Sequence, residues 1–167
     1  MELKKRISSG KIFAVLYILA FSIYLAIGLQ PAEAVKAEKE YNVSAELSIP
    51  SINLVSGVTD VKLTDDGLET PDTIVGEFSN HKNKIFLFGH SSTVFQNLKD
   101  VKLGDIIEYN SKVYRIVETS IVGKAEINMS DVLDEEKTET VVIMTCAGED
   151  LGDGDATHRL LVTAVIE

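Results

Sequence analysis

Thr140-Val141-Val142-Ile143-Met144-Thr145-Cys146 is an apolar, β-branched run that suits a pleated, buried surface and is too short to favour a helix. Leu160 to Ile166 has the same character, so the C-terminal part of the chain reads as two strands. Working back, Ile106 to Tyr109 and Lys112 to Ile121 are joined by Asn110-Ser111, a two-residue connection that predicts a hairpin. Ile85-Phe86-Leu87-Phe88 is a compact apolar run ending in Gly89-His90. Leu47-Ser48-Ile49 and Ile52-Asn53-Leu54 flank Pro50, which marks an edge strand or a bend between two strands. Helical signal is confined to short pieces around Val94 to Leu98 and Ser130 to Asp134, and the stretches Thr59–Asn80 and Thr119–Lys137 read as loops. Many short strands without long intervening helices predict a mainly β barrel or sandwich.

The N-terminus sets the compartment. Lys4, Lys5, Arg6 and Lys11 precede an uncharged apolar stretch from Ile12 to Leu29. At about 1.5 Å per residue this stretch spans roughly 27 Å, close to the thickness of a bilayer core. The positive charges on its near side place residues 1–11 in the cytoplasm and the bulk of the chain outside. Residues 12–29 are therefore expected to be a single-pass transmembrane anchor, and 30–45 a stalk rich in Ala, Glu and Lys. Residues 46–167 are the expected extracytoplasmic domain. Ala32-Glu33-Ala34 resembles a signal-peptidase site, but the apolar stretch is longer than a typical cleaved h-region of about 7–15 residues. An uncleaved anchor is the expectation.

The chain carries 26 Asp+Glu against 16 Lys+Arg, a formal net charge of −10, and four of the cations lie before residue 12. Such a domain repels phosphate backbones and anionic surfaces, which excludes nucleic-acid binding. About 120 residues beyond the stalk suffice for one domain with its own core.

Cys146 is the chain's only cysteine. Outside the cytoplasm a lone thiol is exposed to oxidation, so it calls for a reason, and nucleophilic catalysis is one. The other is that it is a small buried hydrophobe. His90 follows the run 85–88 and Arg159 opens the run 160–166, so all three residues fall at strand ends, where a rigid framework can present reactive groups. A thiol can attack a carbonyl to form a thioester while a histidine protonates the leaving amine. A guanidinium nearby can stabilise the oxyanion. His81, in a polar turn, and His158 compete with His90 for the role of base. On a strand His158 and Arg159 face opposite ways, so only one of them can point at the cysteine.

Gly89-His90-Ser91, then Phe95, Leu98 and Gly104-Asp105, then Tyr114-Arg115-Ile116-Val117, Thr145-Cys146 and Arg159-Leu160-Leu161-Val162, resemble the sortase family. The similarity starts near Leu-Ser-Ile-Pro-Ser-Ile at residue 47 and runs almost to the C-terminus. The resemblance implies a closed eight-stranded β-barrel with short helices, behind one N-terminal transmembrane helix. It implies a cysteine transpeptidase in which Cys146 is the nucleophile, His90 the general acid/base and Arg159 the substrate-positioning, oxyanion-stabilising cation, with Thr145 in a supporting, substrate-binding role. The implied substrate is a secreted protein with a Leu-Pro-x-Thr-Gly-like sorting signal. The implied acceptor is the amine of a cell-wall precursor or a pilin lysine.

The approach to the cysteine, Val-Val-Ile-Met, departs from the Thr-Leu type more frequent in the family, so no subclass is assigned. Between Cys146 and Arg159 lies an acidic, glycine-rich stretch, Gly148-Glu149-Asp150-Leu151-Gly152-Asp153-Gly154-Asp155, expected to be a loop beside the site. No cofactor is called for, although carboxylates of this kind can bind calcium; their spacing is not that of an EF-hand. Two other readings stay open: an extracytoplasmic cysteine peptidase that hydrolyses its thioester, and a non-catalytic membrane-anchored β-domain such as an adhesin or assembly accessory.

Overall fold

The computed structural model describes residues 40–65, 67–152 and 155–167. The anchor expected at 12–29, the cytoplasmic residues before it and most of the stalk lie outside the described residues, as do Asp153 and Gly154.

Eight strands close into a barrel in the order β1-β2-β5-β6-β9-β10-β8-β7. They are β1 (Val43–Ile49), β2 (Leu54–Asp60), β5 (Val75–His81), β6 (Lys84–Phe88), β7 (Ile106–Tyr109), β8 (Lys112–Gly123), β9 (Thr140–Gly152) and β10 (Asp155–Ile166). Two-residue strands β3 (Leu63–Thr64) and β4 (Gly67–Leu68) form a separate small hairpin. Closure leaves no long edge for another chain to pair with. The mainly β character is the one expected from the strand pattern, and the closed eight-stranded barrel is the one the family resemblance implies.

Pro50 opens a 3-10 turn at 50–52, and Asn53 in the left-handed region completes the bend between β1 and β2. Asn110 (φ 48°) and Ser111 (φ 64°) form the tight turn between β7 and β8, with positive φ at both central residues as a two-residue hairpin of this kind requires.

Four expectations are corrected. The stretch 59–80 contains β5, which pairs in parallel with β2 through Val58–Val75, Thr59–Gly76 and Asp60–Glu77. The stretch 119–137 contains the end of β8 and a 3-10 turn at Lys124–Glu126, while the short helix α1 (Met129–Leu133) is the one expected around Ser130–Asp134. The acidic stretch is mostly strand: β9 runs to Gly152, β10 begins at Asp155, and the two pair through Asp155–Gly152 and Ala156–Asp150. Near Val94–Leu98 the chain makes turns and a 3-10 segment, Leu98–Asp100, without an α-helix.

Alternation along the strands sorts side chains into two rows. Val141 and Ile143 of β9, Leu87 of β6, and Leu160, Val162 and Ala164 of β10 pack inside the barrel with Leu47, Ile49, Val58, Tyr114 and Ile116. Phe86, Phe88 and Val142 face out and form a second cluster with Met144 and Leu161, against which Phe78 and Met129, Val132 and Leu133 of α1 pack. The Phe86 and Phe88 rings stack at 5.5 Å between centroids. This outer cluster is thus a second small core, covered by Phe78 and α1, on the outside of β6, β9 and β10.

Candidate active site

β6 and β9 run parallel, with Phe88 opposite Met144, and β9 and β10 run antiparallel, with Cys146 opposite Arg159. Met144 belongs to the outer row, so Cys146, two residues on, continues it, and Arg159 stands in the same row two residues before Leu161. His90 lies two residues past the end of β6 and lines one cavity with Cys146. Three adjacent strands therefore deliver His90, Cys146 and Arg159 to one end of one outer face.

Each position has a local cause. A Cβ on Gly89 would lie 2.6 Å from Cγ1 of Val94 and 3.1 Å from the Phe95 ring, so only glycine lets the chain fold back there. Phe95 and Leu98 are buried in the inner core, and the backbone N–H of Phe95 donates to the carbonyl of His90 at 3.0 Å. Thr145 is buried, and its hydroxyl donates to the carbonyl of Gly89 at 2.8 Å. That bond ties the chain just before His90 to the chain just before Cys146.

His90 and Cys146 line a cavity of about 220 Å³ together with Ser91, Ser92, Ala147, Gly148, Asp150, Asp155 and Ala156. Both residues are partly exposed and so open to a molecule in the cavity. Arg159 borders this site from the next strand. Its Nη2 donates to Oδ1 of Asp155 at 2.7 Å, and its Nη1 donates to the carbonyls of Ala156 and His158, each at 2.9 Å. Asp155 also accepts from the Lys124 ammonium. These partners hold its carboxyl well below the usual carboxylate range, Lys124 contributing most and Arg159 next.

The competing histidines separate. His158 stands opposite Ala147, is exposed, and shares a 2.8 Å hydrogen bond between Nδ1 and the Thr157 hydroxyl. His81 ends β5 and pairs with Lys84 at the start of β6, the opposite end of that strand from His90. Among the described residues no group of three or more His, Cys, Asp or Glu gathers as a metal site. The link of Asp155 to Arg159 was not foreseen from the sequence, although an aspartate four residues before an arginine is its visible trace.

The sortase-domain family model matches residues 47–167. The chain belongs to the sortase family. Sortases are cysteine transpeptidases. Among solved structures, sortase A from Corynebacterium diphtheriae (a lid mutant) aligns with a TM-score of 0.61 at 22% identity, over 79% of this chain and 74% of that one. Sortase A from Listeria monocytogenes aligns at 0.60 and 20%, over 75% and 87%. Clostridium perfringens sortase C, solved with the C-terminal cell wall sorting motif, aligns at 0.56 and 19%, over 97% and 92%. Among curated proteins none matches the chain. The structural likenesses establish a sortase barrel; A, C and D class members all align, and the subclass is open.

Proposed function

We propose that this sortase cleaves a C-terminal sorting signal of the Leu-Pro-x-Thr-Gly kind and transfers the acyl group to an amine, through a thioester on Cys146. The observation that carries the reading is the register that sets Arg159 opposite Cys146, on the outer face that His90 shares.

In the first half-reaction the Cys146 thiolate attacks the scissile carbonyl carbon, forming a carbon–sulfur bond and an oxyanion. Arg159 stabilises that negative charge; its Nε–H and second Nη2–H have no partner among the described residues. Collapse breaks the carbon–nitrogen bond, and His90 gives its proton to the leaving amine. In the second half-reaction the acceptor amine attacks the thioester, passes a proton to His90, and expels the thiolate. Thr145 supports the site by holding Gly89, and with it His90, against β9.

The cluster of Phe86, Phe88 and Val142 is buried under Phe78 and α1, so it acts as a rigid support for the ends of β6 and β9 that carry His90 and Cys146. That a sortase C aligning over most of this chain was solved with a sorting motif supports the same substrate class. The apolar stretch 12–29 behind Lys4, Lys5, Arg6 and Lys11 supports a single-pass anchor with the barrel outside the cell, where a secreted substrate and a cell-wall or pilin amine meet.

The test is a product assay with the full chain, a Leu-Pro-x-Thr-Gly peptide pool, and an amine at increasing concentration. Amide conjugate that rises with amine at the expense of free acid supports transpeptidation. Free acid alone, whatever the amine, makes the protein a peptidase. Neither product, with a thiol that resists alkylation until unfolding, makes it a non-catalytic β-domain.

A further inference from the structure

The guanidinium of Arg159, whose backbone pairs with Cys146, is clamped. Three of its N–H groups are spent, one on the Asp155 carboxylate and two on the carbonyls of Ala156 and His158. Arginine's long side chain samples many rotamers, and the two carbonyls belong to its own strand. Among the described residues Asp155 is the one charged partner, and it is itself fixed from two directions. The backbone N–H of Ala156 donates to Oδ1 at 2.9 Å, and the Lys124 ammonium grips Oδ2. Lys124 begins the 3-10 turn that follows β8, so the chain Lys124–Asp155–Arg159 runs from one strand connection to the next and ends opposite the nucleophile.

The exposures fit a brace rather than a surface ion pair. The Arg159 side chain is 15% exposed and that of Asp155 35%, and Asp155 also lines the cavity that holds Cys146 and His90. Two cations share one carboxylate, so the group keeps a net positive charge toward the oxyanion even though Arg159 is paired.

We propose that Asp155, braced by Lys124, is the positioning residue for Arg159, fixing its guanidinium so that Nε–H and the second Nη2–H are the donors left for substrate. This rests on the oxyanion role given to Arg159 above. Asp155 acts through Arg159 and takes no proton and forms no bond in the reaction. A misplacement of about 1 Å in such a group can cost on the order of 100-fold in rate.

The experiment is a double-mutant cycle on the full chain, with single-turnover acylation of Cys146 by a Leu-Pro-x-Thr-Gly peptide followed by intact mass, and steady-state kcat and KM alongside. Asp155→Ala is expected to slow acylation roughly 10- to 100-fold with KM within about twofold. Asp155→Asn, which keeps an acceptor oxygen, recovers part of the loss. In an Arg159→Ala background the Asp155→Ala change costs no more than about twofold, because there is nothing left to position. Lys124→Met leaves Asp155 and Arg159 in place and gives a smaller loss of the same kind, which serves if Asp155→Ala fails to fold. Wild-type rates in Asp155→Ala and Lys124→Met, a rate gain in either, or the full loss repeated in the Arg159→Ala background would overturn the proposal while leaving the transpeptidase reading intact. A wild type that never acylates overturns both.

Discussion

The buried hydroxyl of Thr145 donates to the carbonyl of Gly89 at 2.8 Å, across the seam where β6 ends and β9 continues. The bond joins the residues immediately before His90 and Cys146. Thr145→Val keeps the shape and removes the donor, leaving the buried Gly89 carbonyl without that partner, a loss of about 1–3 kcal/mol. It is also expected to lower the acylation rate, since His90 loses a restraint. Thr145→Ser keeps the hydroxyl and retains most of both. Urea unfolding and single-turnover acylation of the three proteins check this.

Gly148, two residues beyond Cys146, has φ +81°, and a Cβ there would lie 2.5 Å from the Thr157 hydroxyl and 2.7 Å from Nδ1 of His158. Gly148→Ala is expected to cost about 1–3 kcal/mol from strained backbone, and more from the collision. Because Gly148 lines the cavity, the shift should also slow acylation. A variant with unchanged midpoint and rate would contradict the geometry.

Ser111 occupies a left-handed position (φ 64°) in the β7–β8 turn, where glycine is unstrained. Ser111→Gly creates the favoured Asn-Gly turn and is expected to stabilise the domain by up to about 1 kcal/mol, read as a higher denaturation midpoint with activity unchanged.

Acid sensitivity should arise in part at the other end of the barrel. Glu139 accepts from Lys112 at 2.8 Å and 2.9 Å and from the Tyr114 hydroxyl, and these bonds, Lys112 first, lower its pKa. A carboxyl with a depressed folded-state pKa contributes stability that is present above its unfolded value, near 4.5, and is lost as pH falls through the folded value. Lys112 is half exposed, so solvent screening keeps the contribution modest. Lys112→Met should therefore lower the melting temperature at pH 7 and shrink the gap to wild type as pH drops toward 3. A gap independent of pH would exclude Glu139 as its source.

The strands legible in the sequence are those with dense β-branched or aromatic runs: Ile85–Phe88, Thr140–Thr145, Leu160–Ile166, and the hairpin around Asn110-Ser111. β5 was not, because Val75-Gly76-Glu77-Phe78-Ser79-Asn80 mixes strand residues with turn residues, and its parallel partner β2 lies across the β3–β4 hairpin. Asp150, Gly152 and Asp155 are of turn-forming types, yet they continue the β9–β10 ladder because each strand supplies the other's hydrogen bonds. For the site, His90, Cys146 and Arg159 stood out by residue type at strand ends, with the family resemblance adding their roles. Their arrival on one face depends on the registers β6–β9 and β9–β10, which no local pattern encodes. The hold of Asp155 and Lys124 on Arg159 depends on the same register and on the β8–β10 pairing.

The most direct test of the central claim is intact mass spectrometry of the purified chain incubated with Leu-Pro-x-Thr-Gly-like peptides, beside Cys146→Ala, His90→Ala and Arg159→Ala. The expected result is a peptide acyl adduct mapped to Cys146 in the wild type, discharged by added amine, absent in Cys146→Ala, and strongly slowed in the other two. A wild type that forms no adduct with any peptide, or an adduct that survives Cys146→Ala, would contradict the account.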